Sequence, residues 1–443
     1  MSVSPIEERY RTEMNDVFED KSVLRKWLQV EVALANAHAR IGHITKENAI
    51  QISKAAKRVR LSRVKQIESQ IHHDLMAMVK ALTEACSKDS GAHVHLGATS
   101  YDIEDTATAL LLRDAFAILW KRAEELKHIL IDLAKRHKRT VCIGRTHGQH
   151  AVPTTYGLKF ALYATEIDRH LSRIEQAEKR LYVGKMTGAV GTMATFGEDA
   201  FRLQEYVMEE LGLHPPLVTN QVIQRDRHAE AMFILSLIAC SLEKIAKEIR
   251  NLQRTEISEI AEPFGKKQVG SSTMPQKRNP HKSERICGLA RVVRANLQVS
   301  MENISLEHER DLTNSASERV IISQSFILVD YMLSQMIGIL SGIEFFKHNI
   351  QRNLHFTGGL VMAERMMIAL TEAGMGRQEA HALVRKASIH SLHSGKHLKQ
   401  VLSKDKQVRK LLTVKKLSEL FNEESYVGKA FEIVDRVIEK SVE

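Results

Sequence analysis

Seven prolines in 443 residues, none between Pro5 and Pro153 and none after Pro280, leave most of this chain free to be helical. Proline lacks a backbone donor and clashes with the preceding helical turn. The long proline-free stretches therefore permit uninterrupted helices. Pro263, Pro275 and Pro280 instead mark residues 262–281 as an ordered, non-helical loop. Apolar spacing agrees. Within 229–260, Leu235, Ile238, Leu242, Ile245, Ile249 and Leu252 step by three and four, as on one stripe of a helix. Additional apolar residues between 231 and 240 widen that stripe almost all round, as expected in the middle of a bundle. Residues 103–138 and 156–182 step similarly, and strand-like alternation is confined to "TVCIG" at 140–144. The expected fold class is all-α.

Glycine-bearing breaks at "KDSGAHVHLGATSYD" (88–102) and "NLHFTGGLVMAE" (353–364) suggest three helical domains: 1–98, a central long-helix bundle over 99–352, and 353–443. No solenoid repeat is found. Hydrophobic residues make up 43% and charged residues 27%, which suits a soluble globular protein with a sizeable core. The apolar segment 320–346 is interrupted by Asp330. Its longest charge-free run falls short of the ~18 residues a membrane span needs, so a buried helix is expected and no membrane association.

The net charge of +10 and pI near 9.3 admit nucleic acid, anionic membranes or anionic metabolites as partners. Two basic runs, 54–65 and 404–416, have no interleaved aromatics to stack bases. They read as solvated helix faces, and no nucleic acid is expected. Cys86, Cys142, Cys240 and Cys287 form no C-x-x-C pair and fit a reducing cytosol, and the charged N-terminal stretch has no signal-peptide core. A cytoplasmic location is expected.

Four clusters can carry chemistry. "IHHDL" holds His72, His73 and Asp74; read on a helix, the two histidines point about 100° apart and do not share one ion. In "GATSYDIEDT", Thr99 and Ser100 precede a helix whose first turns hold Asp102 and Asp105, which is either an ordinary cap or an anion seat. "GRTHGQHAVP" crowds His147 and His150 into a segment too irregular for plain helix, and a histidine there can deliver a proton. "GSSTMPQKRNP" (270–280) sets two serines against a proline turn bearing Lys277 and Asn279, both able to donate to a carboxylate. No G-x-S-x-G elbow, Walker pattern or closed metal-ligand spacing occurs, so no metal or other cofactor is expected. Residues 184–197 read as a helix-connecting loop.

With these clusters in view, the chain resembles the fumarase/aspartase superfamily, whose G-S-S-x-M-P-x-K-x-N-P signature is matched from Gly270 to Pro280. The other two motifs follow the superfamily's order. Within it, the sequence is similar to the adenylosuccinate lyase family, through the Arg9–Tyr10 pair, the His-Asp element and the T-H-x-Q-x-A form at 146–151. The resemblance implies β-elimination of fumarate from adenylosuccinate, and from its carboxamide ribotide analogue SAICAR, in purine nucleotide biosynthesis.

It also implies roles. Ser271 would be the general base, His147 the general acid, and His73 would orient the substrate and tune the pair. Arg9, Tyr10, His72, Asp74, Thr99, Ser100, Gln221, Ser272, Lys277, Asn279, Arg285, Arg310, Ser315 and Arg319 would bind substrate, with Arg310, Ser315 and Arg319 at the phosphate and ribose positions. Gly265 and Gly270 would let the serine loop open and close. Family members are homotetramers with shared active sites, so a nucleotide substrate and copies of this chain are the partners implied. The alternatives are an argininosuccinate lyase, a carboxymuconate cycloisomerase-like enzyme, or a non-catalytic relative.

Overall fold

The computed structural model describes residues 4–265 and 267–441. Among them are nineteen α-helices and two sheets of two strands each, as the all-α expectation requires. The long helices between residues 100 and 341 are Ser100–Arg136, Tyr156–Leu181, Asp226–Leu252, His281–Glu302 and Thr313–Ser341. None contains a proline. At 1.5 Å per residue the first is about 55 Å long.

Two boundaries differ from the sequence reading. The helix expected over 229–260 stops at Leu252, where the apolar stepping also stops. The polar residues after it turn back, and the Glu259 N–H donates to the Leu252 carbonyl at 2.9 Å. The segment expected over 320–346 is helical from Thr313 to Ser341 and then ends; Glu344–Phe345 pairs instead with Ile260–Ala261 as a short antiparallel sheet. Gly342 permits this turn, because a Cβ there would meet the Pro263 ring at 2.9 Å. The Thr313–Ser341 helix is long and apolar enough to cross a membrane, yet Phe326, Val329, Met332, Leu333, Met336 and Leu340 are all buried in the protein.

The chain folds as two compact units. One comprises Met1–Glu124, Arg169–Glu243 and Ile286–Gln335; the other comprises Glu125–Asp168, Lys244–Arg285 and Met336–Glu443. In the first, Asp20–Ile41, Lys46–Ala56, Leu61–Ile71 and Asp74–Ala85 form the N-terminal helices, and Val30, Leu34, Leu75, Met78, Ile103, Leu110 and Phe116 are buried. Turns between these helices are set locally: Gly42 ends one in the left-handed conformation at φ 88°, and Thr45 Oγ1 caps the next. In the second unit, "TVCIG" opens a β-hairpin, Val141–Thr146 against Gln149–Thr155. Val141 and Ile143 join Leu354, Met362, Met366, Leu370, Leu398 and Leu420 in one apolar core. The hairpin is thereby fastened to the C-terminal helices.

Candidate active site

His72 and His73 lie at a junction between helices, not side by side on one helix as expected. His72 ends Leu61–Ile71 in the left-handed conformation, φ 53°. His73 caps Asp74–Ala85, its Nδ1 accepting the Met76 N–H at 3.4 Å. Both imidazoles are exposed at this corner. Asp74 follows, and its carboxylate is ion-paired with Arg319. Burial pushes the Asp74 carboxyl up, but the Arg319 guanidinium, with the Leu75 N–H and His73, more than offsets it and leaves the group below its ordinary value.

Asp74 and Arg319 line a cleft of about 430 Å³ together with Tyr101, Glu104 and Ser315. Asp74 thus meets two expected site residues from far along the chain, Ser315 and Arg319, in the first unit. Tyr101 and Glu104 were not anticipated. A helical glutamate ordinarily reads as surface, but burial, then the nearby Asp74 and Asp105, push the Glu104 carboxyl up to about 8. Against burial, which acts the other way, His228 and Arg225 hold the neighbouring Glu318 down at about 2.

Thr99 and Ser100 sit half-buried at the start of the Ser100–Arg136 helix. Asp102 and Asp105 do not simply face the helix dipole; each is committed to an inward network. Asp102 accepts the Thr99 N–H at 2.8 Å and the Thr187 and Gly188 N–H groups at 2.8 and 3.2 Å, and pairs with Lys185. Asp105 accepts from Ile223 and Arg225 at 2.7 and 2.9 Å. The 184–197 segment is accordingly more than a connecting loop, because its Lys185, Met186 and Thr187 are buried. No local pattern flags Lys185; only its distant partner explains a buried ammonium.

Gln221 and Arg310 also meet, Arg310 Nη1 donating to Gln221 Oε1 at 2.7 Å. Arg9 and Tyr10 are not brought to the cleft. Tyr10 packs on Tyr331 with ring centroids 5.0 Å apart, twelve residues beyond Arg319 on the same helix, or about 18 Å along its axis.

In the second unit, His147 occupies the tip of the hairpin, so the irregular segment is a tight two-residue turn. His147 and Gly148 have φ of 54° and 74°, the doubly left-handed pattern whose twist suits hairpin strands. The His147 side chain is exposed. The hairpin is anchored by Glu259, a buried carboxylate that accepts from Arg145 at 2.5 Å, Tyr156 at 2.6 Å and Asn353 at 2.9 Å. Nothing near Glu259 in the sequence foretells this role.

The serine loop has two differently held parts. Ser271 Oγ accepts the backbone N–H groups of Met274 at 3.1 Å and Thr273 at 3.4 Å. Ser272 and Lys277 are exposed and Asn279 is half-buried. Neither Gly265 nor Gly270 adopts a positive φ. Gly270 is required by a close approach instead: a Cβ there would lie 2.0 Å from the Lys277 carbonyl oxygen. The proline side is tied down by buried Glu262, which accepts the Ser283 and Lys282 N–H groups at 2.6 and 3.3 Å, and by Gln253, which donates to the Arg278 carbonyl at 3.0 Å. Arg285 lies near the start of the His281–Glu302 helix. Among the described residues, no three His, Cys, Asp or Glu side chains group as a metal site.

Comparison with known proteins places this geometry in context. Residues 8–295 match the family model described as "Lyase", and residues 359–437 match "Adenylosuccinate lyase C-terminus". The chain is 56% identical to the adenylosuccinate lyase of Pyrococcus abyssi, covering 99% of this chain and 98% of that one. It is 50% identical to the adenylosuccinate lyase of Methanocaldococcus jannaschii, covering 99% and 96%. Among solved structures, it superposes on the 3-carboxy-cis,cis-muconate lactonizing enzyme of Pseudomonas putida with a TM-score of 0.90 at 32% identity, covering 99% of both chains. A fumarate lyase from Mesorhizobium sp. BNC1 gives 0.89 at 31% identity, covering 96% and 97%.

Proposed function

Because the chain belongs to the adenylosuccinate lyase family of the fumarase/aspartase superfamily, we propose that it cleaves adenylosuccinate to AMP and fumarate, and SAICAR to AICAR and fumarate, in purine nucleotide biosynthesis. The reaction is a β-elimination. A proton leaves the succinyl carbon beside a carboxylate, negative charge spreads onto the carboxylate oxygens, and the C–N bond to the purine amine breaks. Protonation of that amine completes the step.

The observation that carries this reading is Ser271 Oγ beneath two backbone N–H donors. A serine hydroxyl is a feeble base, and hydrogen bonds to its ionised form lower the cost of making the alkoxide. Ser271 takes the carbon proton and His147 supplies the proton to the departing amine. Lys277, Asn279, Thr99 and Ser100 stabilise the charge developing on the carboxylates. His73 orients the succinyl group, and Arg310, Ser315 and Arg319 receive the phosphate, with Arg319 exchanging Asp74 for the incoming anion.

In the same reading the enzyme is a cytoplasmic homotetramer whose active sites draw residues from several copies. Two observations support the assembly: His147 is exposed at a hairpin tip, and Phe233, Val292, Met301 and Val320 are exposed on long helices. Four free cysteines are compatible with the cytosol.

The direct test follows the absorbance change as adenylosuccinate is split, with fumarate and AMP identified as products. Argininosuccinate and carboxymuconate serve as competing substrates. Turnover of either of these, with adenylosuccinate left intact, overturns the assignment.

A further inference from the structure

Arg225, Arg310 and Arg319 are held in different ways. Arg319 is paired with Asp74, and buried Arg225 contacts Asp105 and Glu318 at 2.9 and 3.0 Å. Arg310 has no carboxylate partner among the described residues. Its edge donates to the neutral amide of Gln221, and its face lies on the ring of Tyr101, the guanidinium carbon 3.6 Å from the ring centroid. Tyr101 is 5% exposed and lines the same cleft as Ser315. The residue that carries Arg310 therefore directly follows Ser100 in the chain.

An aromatic face attracts a guanidinium through the ring quadrupole and leaves the in-plane N–H fork available to an anion. A carboxylate in the same place would neutralise the charge that an incoming phosphate needs. Tyr101 supplies the attraction that fixes Arg310 without that neutralisation, and Gln221 fixes one edge without charge. We infer that Tyr101 is a positioning residue for the substrate's phosphate, holding Arg310 flat with no carboxylate set against it. This rests on the reading that Arg310 and Ser315 meet the phosphate.

The test compares Tyr101→Phe, which keeps the ring, with Tyr101→Leu, which removes ring and hydroxyl, in the full-length enzyme. For Tyr101→Leu, KM for adenylosuccinate and the inhibition constant of AMP rise together by about 2- to 30-fold, the range a cation–π contact supports. Tyr101→Phe shows a smaller rise, and kcat changes little in either. Adenosine, which lacks the phosphate, inhibits wild type and both variants equally. If adenosine weakens in parallel with AMP, or if kcat falls at unchanged KM, Tyr101 shapes the site generally and the inference is overturned. The underlying reading fails separately if Arg310→Ala leaves AMP inhibition unchanged.

Discussion

Met274 donates its backbone N–H to Ser271 Oγ at 3.1 Å, so the serine is oriented before any substrate arrives. Ser271→Ala removes the proposed base, and kcat is expected to fall by about 10²–10⁴-fold or more, with the helical circular dichroism unchanged. Gly270→Ala tests the loop rather than the hydroxyl. Its new Cβ meets the Lys277 carbonyl, so kcat should also fall although Ser271 is intact. Near-normal turnover in Ser271→Ala would exclude it as the base.

His147→Asn separates chemistry from conformation. Asparagine tolerates the left-handed backbone that His147 adopts, so the hairpin should stay closed. Turnover should drop by about 10²–10⁴-fold while the thermal midpoint matches wild type. A variant that keeps its rate would remove His147 from proton delivery.

Glu104 imposes a pH dependence on stability. Its carboxyl is raised from 4.5 to about 8 by burial and by Asp74 and Asp105. Between these values the folded chain holds a proton that the unfolded chain has lost, so this group's contribution to stability declines as pH rises from 4.5 to about 8. Glu104→Gln removes that decline. Urea unfolding across the window should show the variant gaining on wild type as pH rises, and a constant difference would contradict the burial of this group.

Phe233→Asp and Val292→Asp test the proposed assembly. Each side chain is exposed on a long helix, so the substitution should spare the fold of one chain but place a charge in any contact between copies. Light scattering should report dissociation, and activity should fall with it. A fully active monomer would separate catalysis from assembly.

Where proline is sparse and apolar residues step by three and four, the sequence announced long helices, and the alternation in "TVCIG" marked one strand of the hairpin but not its partner. These signals are local, set by backbone geometry within a few residues. The candidate site divides along the same line. Asp74, Ser315 and Arg319 were named from the sequence and do share a cleft, while Arg9 and Tyr10, named with them, do not line it.

Glu104, Lys185 and Glu259 went unseen because an isolated charged residue in a helix or loop looks the same whether solvated or paired. Their distinction is the partner: Asp102 lies 83 residues from Lys185, and Arg145 lies 114 from Glu259. By itself the sequence determined the helical architecture, since helix period and proline geometry need no distant neighbour. Only the tertiary structure decided that His72 and His73 form a corner, that Gly270 is a contact and that Tyr101 carries Arg310, because each depends on atoms that folding brings together from far along the chain.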